Sequence, residues 1–178
     1  MIDRALALLR AQARRYVRAM DNDGRRGFDF LHGRWRIHNE RLKKRLTGSA
    51  EWIEFDCPEQ ECRPVLGGLG NIDSYETDSF ADGKPFKGMT LRLFDPRTRL
   101  WSIYWSDDRW HGLGPPVIGR FEDGRGVFFG DDTHEGRPVR VRFIWGDITP
   151  TSAHWQQAFS TDGEETWETN WHMRFTRL

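Results

Sequence analysis

From residue 28 onward the chain is a succession of short segments in which apolar and polar side chains alternate. The segments run 33–45, 49–56, 63–67, 69–78, 87–95, 100–107, 116–122, 125–131, 137–148, 152–160 and 166–177, and turn formers such as Asp-Pro-Arg-Thr, Glu-Asp-Gly and Thr-Asp-Gly-Glu close them. The third and fourth can be read as one strand bent at Gly67-Gly68, which leaves about ten strands. Period-two alternation at this spacing implies an antiparallel sandwich or barrel. No second helical pattern lies between the strands, so parallel βαβ units are excluded.

One segment differs. Residues 3–20 place Leu6, Leu9, Ala13, Tyr16, Val17 and Met20 at helical spacing, and the Asn/Asp/Gly run after them ends the pattern near Gly24. The expected organisation is an amphipathic helix over residues 1–24 packed on a single β-barrel domain over residues 28–178.

The chain has 178 residues with 27 basic and 27 acidic side chains, hence no net charge. That balance argues against a nucleic-acid or membrane-surface binder. It conceals a split: residues 1–46 carry 13 basic against 5 acidic side chains, and the remainder 14 against 22. An apolar stripe on the basic helix favours docking within the molecule or across a dimer over an arm for an external partner. No run of 18 apolar residues exists, the first 20 residues lack a secretory pattern, and two cysteines make no disulfide framework; these suggest a cytoplasmic protein. Arg outnumbers Lys 23 to 4, as GC-rich bacterial genomes produce. Only 37% of residues are hydrophobic but nine are Trp, so a few large aromatics must supply much of the buried area.

The stretch FDFLHGRWRIH at 28–38 opens the first strand with Gly33 two residues before Trp35. The last strand carries Trp171, Phe175 and Arg177. In a closed barrel these strands are neighbours, and an Arg from the last covers the indole of the first. Here the chain resembles the calycin superfamily, whose lipocalin members carry a G-x-W on the first strand and a closing Arg. FDFLHGRW, GGLGN at 67–71, GMTLRLFDPRTRLWSIYWSD and TWETNWHMRFTR together resemble the uncharacterised lipocalin-like proteins of the DUF1579 type, over most of residues 28–178. The resemblance implies an up-and-down barrel with an interior site and carries no settled activity.

Alternation assigns faces. Trp101, Ile103 and Trp105 oppose Ser102, Tyr104 and Ser106; Val141, Phe143 and Trp145 oppose Arg140, Arg142 and Ile144. Trp155, Gln157 and Phe159 share a face, as do Trp167, Thr169, Trp171, Met173 and Phe175. Burial of aromatics favours the Trp-rich face as the inner one, around either a packed core or a ligand cavity. The candidate ligand-binding residues are Trp35, Trp101, Trp105, Arg142, Trp145, Trp155 and Trp171. Arg92, Arg140 and Arg142 would suit a carboxylate if they point inward and water if they point outward.

Other chemistry-bearing residues have plainer readings. His172 lies on the last strand, where nitrobindin-type haem proteins hold their axial ligand, but GRWRIHNERL lacks that family's Gly-rich pattern and His172 opposes the Trp face; no cofactor is expected. Cys57 and Cys62 lack a second pair for zinc. Asp107, Asp108 and His111, like Asp131, Asp132 and His134, match no metal-site spacing, so no metal is expected. Residues 160–167 resemble an Asp-box turn and read as a structural hairpin. The sequence therefore favours a barrel that binds a small apolar or aromatic ligand. An enzyme using Tyr104, Glu168 or His172 as acid and base, and a homodimeric interaction protein, are the alternatives.

Overall fold

The structure is a computed structural model that describes residues 23–110 and 112–178. The expected helix over 3–20 and His111 lie outside the described residues. Ten strands form a closed antiparallel barrel: β1 (Gly33–Leu42), β2 (Trp52–Val65), β3 (Gly70–Thr77), β4 (Phe86–Asp95), β5 (Leu100–Asp107), β6 (Val117–Glu122), β7 (Arg125–His134), β8 (Arg137–Gly146), β9 (Ser152–Ser160) and β10 (Glu168–Arg177). Each strand pairs with the next, and β1 closes on β10 in the register Trp35↔Arg177 to Arg41↔Trp171. Among the described residues no helix is long and apolar enough to cross a membrane.

Two boundaries depart from the sequence reading. Runs 49–56 and 63–67 are one strand, β2, whose pairing with β1 shifts between Trp35 and Ile37. Pro58 lies in that irregular stretch, where a missing N–H costs no ladder bond. The runs at 63–67 and 69–78 are separate strands, divided by a short 3-10 turn at Leu66–Gly68 in which Gly67 has φ +64°. Gly70 follows because a Cβ there would sit 2.7 Å from the Arg92 carbonyl oxygen.

One end of the barrel is plugged. Residues 28–32 pass beneath it through a single 3-10 turn, Asp29–Leu31, with Phe28 and Leu31 fully buried. Phe28 meets Trp101 and Phe121 edge-on at centroid distances of 5.1 and 4.9 Å. Trp101 Nε1 donates to the Gly24 carbonyl and Trp35 Nε1 to the Leu31 carbonyl, so both buried indoles have acceptors. Arg177 covers Trp35 at 4.1 Å and donates to the carbonyls of His32, Phe30 and Pro150, closing the barrel as the sequence suggests.

The charge split is partly consumed at one seam. Basic residues of β1 and its following loop face acids of β2 and of the residue before it: Arg34 with Glu59, and Lys43 with Glu51. These pairs are exposed, so each contributes little.

Cys57 and Cys62 are both buried free thiols. Burial pushes the Cys57 thiol up to about 11 and that of Cys62 to about 12. The folded state thus favours neutral thiols, and their contribution to stability is complete below the unfolded thiol pKa of about 8.5 and falls as pH rises above it. Ellman titration at pH 8 is expected to find no reactive thiol in the native protein and both in denaturant. Rapid native reaction would show that the β2 wall opens.

Candidate functional site

Above the plug the barrel is hollow. The cavity has a volume of about 950 Å³, at the upper end of ligand-pocket sizes. Its wall is the inward face of β5, β8, β9 and β10, led by Trp105, Phe143, Trp145, Trp155 and Trp171. Period-two alternation delivers these side chains inside, while Arg140 pairs with Asp131 and Glu164 on the outer surface. The mouth lies where β5 and β6 part. They pair only from Trp101↔Gly119 to Ile103↔Val117, and above that point Trp110, Gly114 and Pro115 line the opening with Asp131–Thr133.

Of the seven candidate ligand-binding residues, four line the cavity: Trp105, Trp145, Trp155 and Trp171. Trp35 and Trp101 share the inward parity but belong to the plugged end, where they are packed and hydrogen-bonded. Arg142 is outside: its guanidinium lies 4.3 Å from the Trp167 ring centroid. Trp167 itself leaves the inward face because the β9–β10 register shifts between Thr169 and Trp171. That shift buries Asn170, whose Oδ1 accepts a hydrogen bond from Gln157 at 2.9 Å.

Of the polar part of the wall, the sequence singled out Arg92 alone. β3 turns Asn71, Asp73 and Tyr75 inward, all almost fully buried. Arg92, on β4, is also buried; Nη1 donates to Asn71 Oδ1 at 3.1 Å and makes an ion pair with Asp73. Its guanidinium lies over Phe28 and Trp145. The cation is therefore balanced by β3, unlike the free carboxylate grip that a triad of Arg92, Arg140 and Arg142 would have formed. Gln60 Oε1 is buried without a hydrogen-bond partner, Tyr75 Oη is buried beside the Asn39 amide, and both residues line the cavity. Burial pushes the Tyr75 phenol well above its ordinary pKa, so it is neutral and able to donate.

The barrel has a solved structural neighbour. It superimposes on the crystal structure of Rv2717c from M. tuberculosis with a TM-score of 0.57 at 12% identity, over 85% of this chain and 97% of that one. At this identity the likeness is one of fold, and it fits a lipocalin-like barrel. No protein-family model matches the chain, and no curated protein matches its sequence.

The residues proposed for acid–base work do not gather in the cavity. Tyr104 lies on the face opposite Trp105, and both Glu168 oxygens accept the Leu46 amide. His172 is on the outer wall, its Nδ1 3.0 Å from His154 Nε2 and its ring beside Trp52. Partial burial lowers the pKa of both imidazoles. Residues 160–166 form a hydrogen-bonded turn: Asp162 accepts from the Thr166 amide and from Ser160 Oγ, and Thr166 holds its carboxyl down at about 2. Among the described residues no three His, Cys, Asp or Glu side chains assemble as a metal-ligand set.

Proposed function

We propose that this protein binds a small, largely apolar or aromatic molecule inside its barrel, as a lipocalin-like binding protein akin to the DUF1579-type proteins. The observation that carries the reading is the cavity: about 950 Å³ walled by indole and phenyl rings, with a few polar atoms converging on it. Such a surface, apolar over most of its area with few orienting groups, is the usual chemistry of small-molecule pockets. The absence of a nucleophile–base pair among the lining residues favours binding over turnover.

N-phenyl-1-naphthylamine, a neutral aromatic probe, tests it. Saturable 1:1 fluorescence enhancement with a Kd in the micromolar range is expected. Thr90→Phe and Val117→Phe, which fill the interior and the mouth, should weaken binding at least tenfold while leaving the circular dichroism unchanged. An unsaturable signal, or equal affinity in the filled variants, would place the probe on the surface and defeat the reading.

A further inference from the structure

We infer that the interior ligand carries an anionic group, and that Arg41, Asn39 and Tyr75 receive it at the β1–β3 side of the barrel. This rests on the interior-binding reading above. Asn39 and Arg41 alternate on the inward face of β1, and Tyr75 projects inward from β3 beside them. Arg41 Nε is buried without a partner, and Asn39 Nδ2 and Tyr75 Oη, buried beside one another, have no acceptor for their remaining hydrogens. All three can donate. The orientation of Asn39 is set, because its Oδ1 accepts from Trp171 Nε1 at 3.1 Å and leaves the amide nitrogen turned to Tyr75 Oη.

Arg41 is the decisive member. Its guanidinium is packed between Phe80 and Trp171, 5.3 and 4.8 Å from their centroids. Among the described residues it forms no ion pair, in contrast to Arg92, Arg109 and Arg140. Desolvation, with Arg45 next, lowers its pKa to about 10, so it remains a cation at neutral pH. The carboxylate that acts on it, Asp82, is already held by Arg109 at 2.8 and 3.3 Å. The acids that line the mouth, Asp107 on β5 and Asp131 and Asp132 on β7, stand across the barrel from β1. A shielded cation without a counter-charge is costly, and a buried donor without an acceptor adds to the cost. A carboxylate, sulfonate or phosphate on the ligand relieves both. Trp171 links the halves of the site, since one side of its ring meets Arg41 and the residue lines the cavity. Gln60 Oε1, an acceptor without a donor, adjoins the cavity and suits a hydroxyl or amide elsewhere on the ligand.

The test compares two probes that share their aromatic rings, 8-anilinonaphthalene-1-sulfonate and neutral N-phenyl-1-naphthylamine. In Arg41→Met the sulfonate is expected to bind about tenfold more weakly, the equivalent of losing one charge-assisted hydrogen bond, and the neutral probe within twofold of wild type. Arg34→Gln, which removes an exposed guanidinium already engaged by Glu59, should leave both affinities unchanged. Asn39→Asp keeps the acceptor for Trp171 and places a carboxylate beside Arg41. It should abolish the preference for the sulfonate even if Arg41→Met fails to fold. Equal losses for both probes, or no loss for either, would overturn the assignment and leave the cavity reading standing. Failure of both probes to bind wild type would overturn the cavity reading, and this one with it.

Discussion

Asp73→Ala is expected to destabilise the barrel by about 3–5 kcal/mol, because it strands the Arg92 guanidinium in the interior. The two side chains are 0% and 4% exposed, and Asn71, the remaining partner, offers only a neutral amide oxygen at 3.1 Å. Replacing both partners is a different experiment. Asp73→Leu combined with Arg92→Met removes the two charges together and is expected to unfold within about 1–2 kcal/mol of wild type, since apolar side chains of similar volume often replace a buried ion pair at little cost. Urea unfolding of the single and double variants gives the comparison. The pair is imperfectly satisfied, with Asp73 Oδ1 and Arg92 Nε lacking partners, so its value is in fixing β3 against β4 more than in net stabilisation. A single-variant loss below about 1 kcal/mol would show that water in the cavity, rather than Asp73, compensates Arg92.

That ion pair also shows where sequence reading reaches its limit. Arg92 and Arg142 both alternate with apolar neighbours, and nothing local separates them. The difference is across the ladder, where Asn71↔Arg92 brings Arg92 to the polar inner face of β3 and Phe129↔Arg142 leaves Arg142 outside beside Trp167. In NIDSYET the inward set, Asn71, Asp73 and Tyr75, has the composition of a solvated face. Hydropathy alternation therefore carries little information where the interior is polar. It works well on β5, β8 and β9, where Trp105, Trp145 and Trp155 leave one choice. On β10 it holds only as far as the bulge beside Asn170, which reverses the parity of Trp167 with no marker in its own sequence. Height along the barrel is not encoded in parity at all. Trp35 and Trp101 have the correct face but sit in the plug, a placement set by the 23–32 segment folding beneath the strands.

Trp35→Ala is expected to cost about 3–5 kcal/mol, the range for deleting a large buried aromatic, and to lower Tm by on the order of 10 °C. The cost is cooperative in origin. Trp35 is fully buried, donates to Leu31 at 2.7 Å, meets Phe175 at 6.1 Å and supports the face of Arg177. Arg177 in turn ties three carbonyls from two segments, Phe30 and His32 beneath the barrel and Pro150 in the β8–β9 turn. Removing the indole therefore loosens the plug and the β1–β10 closure together. Gly33→Ala probes the same corner from the backbone. Gly33 has φ +111°, and a Cβ there would lie 2.9 Å from Arg177 Nη1, so alanine must strain the chain and displace the guanidinium. In a double-mutant cycle Gly33→Ala and Arg177→Ala should be strongly non-additive, because each breaks the same contact. Additive losses would show that Gly33 is required for its backbone conformation alone. If the plug loosens as expected, Trp35→Ala will also admit water from below, and cavity binding of the neutral naphthylamine probe should weaken although no lining residue has changed.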